Sequence, residues 1–252
     1  MVPRYASGPG TLNAVTSPLQ FDSVLVVMAH PDDVDFGAAG TIAQWTAAGK
    51  KVSYCLVTNG DAGGFDPLVP RSEIAGIRQR EQTSAAHVLG VSDLCFLGFP
   101  DGRLVADLEL RKAISREIRR TKPDIVLCQS PVRNFNRIYA SHPDHLAAAE
   151  ATMCAVYPDS RNPFTFTELI EEGFEPHAAR QVWLVGGPES NHVVDTTEWF
   201  DQKINALLCH SSQLPNPDGM RDRIRSWNES IAAQGGLPAG RTAESFQIVD
   251  TA

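Results

Sequence analysis

Ser23-Val24-Leu25-Val26-Val27-Met28-Ala29, running into His30-Pro31-Asp32-Asp33, is the stretch on which the fold turns. An unbroken apolar run with three valines reads as a strand buried on both faces, as in parallel sheets. A helix is expected from about Phe36 to Ala48, closed by Gly49. Val52–Thr58 reads as a second strand, stopped by Asn59-Gly60-Asp61. Residues 71–89 are charged, alanine-rich and helical, and Leu94–Leu97 is a short strand. Leu110, Ala113, Ile114 and Ile118 stripe one face of a helix, and Leu146, Ala149, Met153 and Val156 stripe another. Between these lies a fourth strand, Asp124–Cys128; Val182–Val185 is a fifth, and the last clear helix covers about 197–209. Residues 214–242, broken by Pro and Gly, read as a flap or irregular C-terminal cap. Strand and helix alternate, which predicts an α/β, Rossmann-like fold with a mostly parallel sheet and helices on both faces. One domain is expected over 21–252, after a loose arm at 1–20. In a 3-2-1-4-5 order the ends of strands one and four are neighbours, at the crevice where such sheets bind ligands.

Composition narrows the function. The 252 residues are 42% hydrophobic and 21% charged, which excludes global disorder. A net charge of −8 argues against nonspecific nucleic-acid binding. The longest strongly apolar run is far too short to span a membrane, and the N-terminal residues carry no secretory signature. Five scattered cysteines without a C-x-x-C pair read as reduced thiols in a cytoplasmic protein.

Two clusters carry the chemistry: Ala29-His30-Pro31-Asp32-Asp33-Val34-Asp35 after strand one, and Ser141-His142-Pro143-Asp144-His145 after strand four. Each alone fits helix capping, with Ser141-x-x-Asp144 as a capping-box variant and Asp33 or Asp35 as a cap. Together they favour a metal, because helix N-termini have no use for imidazoles and disfavour imidazolium. Imidazole and carboxylate are natural zinc ligands, and two imidazoles with one carboxylate also suit ferrous iron. A glycine-rich dinucleotide turn is absent after strand one, so a nucleotide-dependent dehydrogenase is set aside.

The pair AHPDD and SHPDH resembles the PIG-L/LmbE-like family of metal-dependent N-acetylglucosaminyl deacetylases. Thr58-Asn59-Gly60-Asp61, Arg78-x-x-Glu81, Leu97–Gly102, Lys203–Gln213 and Ala243–Phe246 extend the likeness across about Phe21 to Phe246. The resemblance implies a zinc-dependent hydrolase that removes acetate from the N-acetylglucosamine part of a soluble sugar or glycoside. It implies metal ligands His30, Asp33 and His145, with Asp32 as general base. His142 would act as a protonated imidazole at the oxyanion or leaving nitrogen, its basicity raised by Asp144. Arg78 and Asp101 would hold sugar hydroxyls. Some relatives carry a Tyr two residues before the His equivalent to His142; here that position is Ala140, and Tyr139 is the nearest candidate. His210 is left between a structural and a catalytic role. An amidase for a larger acyl group, and a non-catalytic binding module with a degenerate site, are the alternatives. The substrate partner is a small amino sugar, with no nucleic acid or membrane, and a homo-oligomer is left open.

Overall fold

The structure, a computed structural model, describes residues 20–251. The loose arm expected at 1–20 therefore lies, except for Gln20, outside the described residues. Seven strands form one sheet in the order β3-β2-β1-β4-β5-β7-β6. The first five, β1 (Ser23–Met28), β2 (Lys51–Thr58), β3 (Asp93–Phe99), β4 (Ile125–Gln129) and β5 (Gln181–Val185), run parallel in the anticipated 3-2-1-4-5 order. β1 shows why its run is apolar throughout. Val24, Val26 and Met28 pack on one face of the sheet, while Leu25, Val27 and Ala29 pack on the other. Helices α1 (Asp33–Ala47), α2 (Arg71–Val88) and α6 (Phe200–Leu208) cover the first face. The second face is covered by α3 (Leu108–Thr121) and α4 (Pro143–Cys154), and a one-turn α5 (Thr167–Glu171) follows α4. No described helix is long and apolar enough to cross a membrane.

The expected irregular C-terminal cap is incorrect. Residues Met220–Gln234 form a regular helix, α7, with Met220, Ile224 and Ile231 buried along one side. The strand β6 (His192–Asp195) pairs antiparallel with β7 (Ala243–Asp250), and β7 in turn pairs antiparallel with β5. β7 thus enters the sheet at the edge where the parallel strands end, and delivers Glu244 and Ser245 to the ligand-binding crevice.

Glu244 is one half of a buried ion pair. Lys203 Nζ lies 2.6 Å from Glu244 Oε1 and donates to the Phe36 carbonyl at 2.7 Å. Glu244 also accepts the Gly40 and Thr41 amides of α1. Both side chains are 1% exposed, so α1, α6 and β7 are clasped through charge in the interior. Removing one partner of such a pair strands the other charge. Lys203→Met should lower stability by about 3–5 kcal/mol in denaturant titration; a change under about 1 kcal/mol would show that Glu244 is satisfied by the α1 amides alone.

Candidate active site

The two histidine clusters meet where β1 and β4 end. His30 Nδ1 lies 3.3 Å from His145 Nε2 and 3.2 Å from Asp33 Oδ2, and His145 Nε2 lies 3.0 Å from Asp33 Oδ1. A tetrahedral zinc with bonds of about 2.1 Å would separate its ligand atoms by roughly 3.4 Å. The donor set fits such an ion in type and in spacing. Electrostatics agree: burial opposes protonation of His30, but Asp33, Asp101 and Asp144 outweigh it and push the imidazole up to about 12. Three carboxylates around one ring make a place that calls for a cation.

Each candidate ligand is oriented from behind. The other ring nitrogen of His30 faces Asp101 Oδ1 at 3.1 Å and Asp144 Oδ2 at 3.3 Å. Among the described residues two groups have metal-sized spacing, His30 with His142 and His145 and, on that other side of the ring, His30 with Asp101 and Asp144. The oxygens of the second are already engaged, however: Asp144 accepts the Gly102 and Leu104 amides, and Asp101 accepts the Ala62 amide. These carboxylates therefore serve His30 as hydrogen-bond acceptors that leave Nδ1 free to ligate. His145 Nδ1 sits 3.2 Å from the Ala140 carbonyl, which leaves Nε2 as the atom free to ligate. Asp33 Oδ2 accepts the His30 amide and Gln129 Nε2, both at 2.8 Å, which turns Oδ1 toward His145.

Asp32 begins α1 with φ +88°, in the left-handed region where a side chain other than Gly costs about 1–3 kcal/mol. Three bonds hold it there. Its amide donates to Gln82 Oε1 at 2.7 Å, and Arg78 Nη2 reaches both Asp32 Oδ2 at 3.2 Å and the Pro31 carbonyl at 2.5 Å. Burial and the adjacent Asp33 push the Asp32 carboxyl up to about 7. A carboxylate poised near neutrality is suited to accept a proton.

Arg78 and Asp101, expected to hold sugar hydroxyls, are placed differently. Arg78 is 4% exposed and bound to Pro31, Asp32 and Gly60, and Asp101 backs His30; neither lines the cavity described below. Gly60, at φ +65°, is required because a Cβ there would collide with the Arg78 guanidinium. Arg78 does not pair with Glu81, whose carboxylate instead accepts from Ser211 and Ser212.

His142 also departs from expectation. Burial, His30 and His145 hold its imidazole below the ordinary range, and the opposing pull of Asp144 does not overcome them. Its Nδ1 accepts the Asp144 amide at 3.2 Å and so caps α4. The neutral ring then carries its proton on Nε2. The capping-box alternative is excluded, since Ser141 Oγ accepts from the Asn134 amide instead.

Gln82, Asp35 and His210 form a buried relay that the sequence reading missed. Gln82 Nε2 donates to Asp35 Oδ2 at 2.9 Å, and His210 Nε2 meets the same oxygen at 2.8 Å. Because a carboxylate only accepts, Asp35 orients the Gln82 amide so that its oxygen faces Asp32. His210, which burial would keep neutral, is raised above its usual range by the Asp35 hydrogen bond. Gln82→Glu should lower kcat by about 10–100-fold with metal content unchanged, the range for groups that orient a reactive shell. An unaltered kcat would remove Gln82 from the positioning of Asp32.

A cavity of about 520 Å³ opens beside Asp32, Asp33 and His145. Phe36, Val185, Ile224 and Ile231 give it apolar walls, and α7 forms its far side. Of the loop residues 133–139, Arg137 and Tyr139 line it. The Arg137 guanidinium lies 4.6 Å from the Trp227 ring centre, and its Nε donates to the Tyr139 hydroxyl at 3.0 Å. This stack ties the β4–α4 loop to α7 across the mouth.

Comparison with known proteins identifies the family. A family model described as PIG-L, GlcNAc-PI de-N-acetylase, matches residues 25–156. A diacetylchitobiose deacetylase of Thermococcus kodakarensis is 35% identical, over 90% of this chain and 82% of the relative. A probable N-acetyl-alpha-D-glucosaminyl L-malate deacetylase 2 of Bacillus anthracis is 30% identical, over 76% of this chain and 81% of its own length. Among solved structures, the N,N'-diacetylchitobiose deacetylase from Pyrococcus horikoshii superposes with a TM-score of 0.83 at 27% identity, covering 91% of this chain and 84% of that one. The chain belongs to the PIG-L family of de-N-acetylases.

Proposed function

We propose that this protein hydrolyses the acetamide of an N-acetylglucosamine unit in a small neutral glycoside, releasing acetate and a free amine. The observation that carries the reading is the convergence of His30 Nδ1, the Asp33 carboxylate and His145 Nε2 beside the Asp32 carboxylate, at the wall of a cavity. These three residues would hold a divalent metal, and zinc suits the donors best. When bound, the ion supplies Lewis-acid polarisation of the acetamide carbonyl and of the attacking water. Asp32 accepts the proton that water loses as its oxygen bonds to the carbonyl carbon. His142, with its proton on Nε2, donates a hydrogen bond to the developing oxyanion or to the departing nitrogen. The C–N bond then breaks, and the amine leaves with the proton that Asp32 took up. Arg78 and Gln82 keep Asp32 in its strained setting, and Asp101, Asp144 and Gln129 keep the ligands aimed. The five cysteines are free thiols, in keeping with a cytoplasmic setting.

The test is acetate release from N-acetylglucosamine, N,N'-diacetylchitobiose and a panel of glycosides by chelator-stripped protein, with and without added zinc. Release restored by zinc is the expected result. No release from any member by protein holding one metal per chain would overturn the reading.

A further inference from the structure

Two residues one turn apart on α2 hold Asp32 in its left-handed setting. Gln82 accepts its amide, and Arg78 reaches its carboxylate and the carbonyl before it. The same turn of α2 is fastened by residues 210–212, from near the other end of the chain. Glu81 accepts Ser211 Oγ at 3.0 Å, the Ser212 amide at 2.8 Å and Ser212 Oγ at 2.7 Å. His210 Nε2 lies 2.8 Å from Asp35 Oδ2, the oxygen that also accepts Gln82 Nε2. Asp35 Oδ1 has no partner among the described residues, so Gln82 and His210 alone hold that carboxylate by hydrogen bonds. His210 Nδ1 has none either, so the imidazole spends its one bond on Asp35. Both side chains are buried, and bulk water cannot replace the bond between them.

Apolar packing would join α2 to the end of α6 with no polar group to desolvate. Directed bonds between buried polar groups give instead one fixed arrangement of their members. Here that arrangement ends on the strained peptide of Asp32. We infer that His210 is a positioning residue for the general base: through Asp35 it fixes the Gln82 side chain, and through Gln82 the backbone of Asp32. The inference rests on the deacetylase reading for what Asp32 does, and on the bonds alone for how Asp32 is held. Without His210, Asp35 keeps a single donor and can turn with the Gln82 amide. Asp32 then relaxes from φ +88°, and its carboxylate leaves the position from which it faces the attacking water.

The experiment compares metal-loaded wild type with His210→Leu and His210→Gln, by kinetics of acetate release and by hydrogen exchange of single amides. His210→Leu should lower kcat by about 10–100-fold, with KM within about twofold of wild type and metal content unchanged. His210→Gln, whose Nε2 can donate to Asp35 in place of the imidazole, should regain most of that loss. The Asp32 amide should exchange about 10-fold faster or more in His210→Leu, while Val26 in β1 exchanges as in wild type. A role in stability alone would speed both amides and leave kcat unchanged, and that result overturns the inference. Loss of metal in His210→Leu, or equal kcat in the Leu and Gln variants, overturns it too. Asp35→Leu/His210→Leu strands neither partner, so it serves where His210→Leu does not fold. It should show the same loss of kcat, and wild-type kcat there overturns the inference. Hydrogen exchange needs no turnover, which separates the two readings. If wild type releases no acetate, faster exchange at Asp32 alone upholds the role of His210 while the deacetylase reading falls. Unchanged exchange at Asp32 overturns the inference whatever the turnover.

Discussion

Asp32→Asn should abolish nearly all turnover, by about 10³-fold within the range known for a lost general base, while the protein keeps its metal. The substitution isolates the proton-accepting role. Asn tolerates the left-handed backbone that Asp32 adopts at φ +88°, so the turn into α1 is kept. Its side-chain oxygen can still accept from Arg78, and its backbone amide can still donate to Gln82, so the neighbours stay where they are. Only the ability to take a proton from water is gone. Acetate release and metal content by atomic emission are the two readouts. Loss of metal would make Asp32 a ligand rather than the base, and preserved turnover would remove it from the chemistry.

Asp33→Asn should do the reverse and empty the site. In the native arrangement Asp33 Oδ2 accepts two donors, the His30 amide and Gln129 Nε2. An asparagine must give those donors its single oxygen, which swings its NH₂ group toward His145 Nε2, where a ligand lone pair is needed. Metal content should fall from one per chain to near zero, with activity falling alongside. Stability reports this independently of turnover. A ligand at a thousandfold excess over its Kd adds about 4 kcal/mol to the folded state, or roughly 8–16 °C in Tm for a chain of this size. Wild type stripped of metal should gain that much on adding zinc, and Asp33→Asn should gain almost nothing. An undiminished shift in the variant would mean that the ion sits elsewhere, the His30, Asp101 and Asp144 group being the first place to look.

The five parallel strands were legible because each is an apolar run, and the face-by-face burial of β1 explains why such runs carry no alternation. α7 was not legible, although Met220, Ile224, Trp227 and Ile231 recur at helical spacing. Pro215, Pro217 and Gly219 before it, and Gly235, Gly236 and Pro238 after it, drew the eye to breaks rather than to the period between them. β7 has only Phe246, Ile248 and Val249 as large apolar residues among polar ones, and its place inside the sheet depends on a partner far away in the chain. The residues proposed to hold a metal were legible because each cluster is local and chemically unusual. The roles of Gln82 and Gln129 were not, since a glutamine has no signature and these act across 50 and 96 positions. For His142 the sequence shows the neighbouring Asp144 but not the burial and the two imidazoles that hold it below its usual range, since those come from the fold. The expectation for Arg78 failed on packing, because the guanidinium is enclosed beneath Gly60.

The roof of the cavity has a consequence for how this protein could diverge. Every residue proposed to hold the metal or to act on the substrate lies between residues 30 and 145, whereas α7 and β7 enter the cavity only after residue 200. α7 is bounded on both sides by Gly- and Pro-rich connections, the kind of segment that absorbs insertions and changes of length at little cost. Variation there would recut the far wall of the cavity without moving a ligand or the base. Selection for a new glycoside can thus act on the tail of the gene while its first half is held fixed by the reaction, as if a conserved tool were fitted with interchangeable grips.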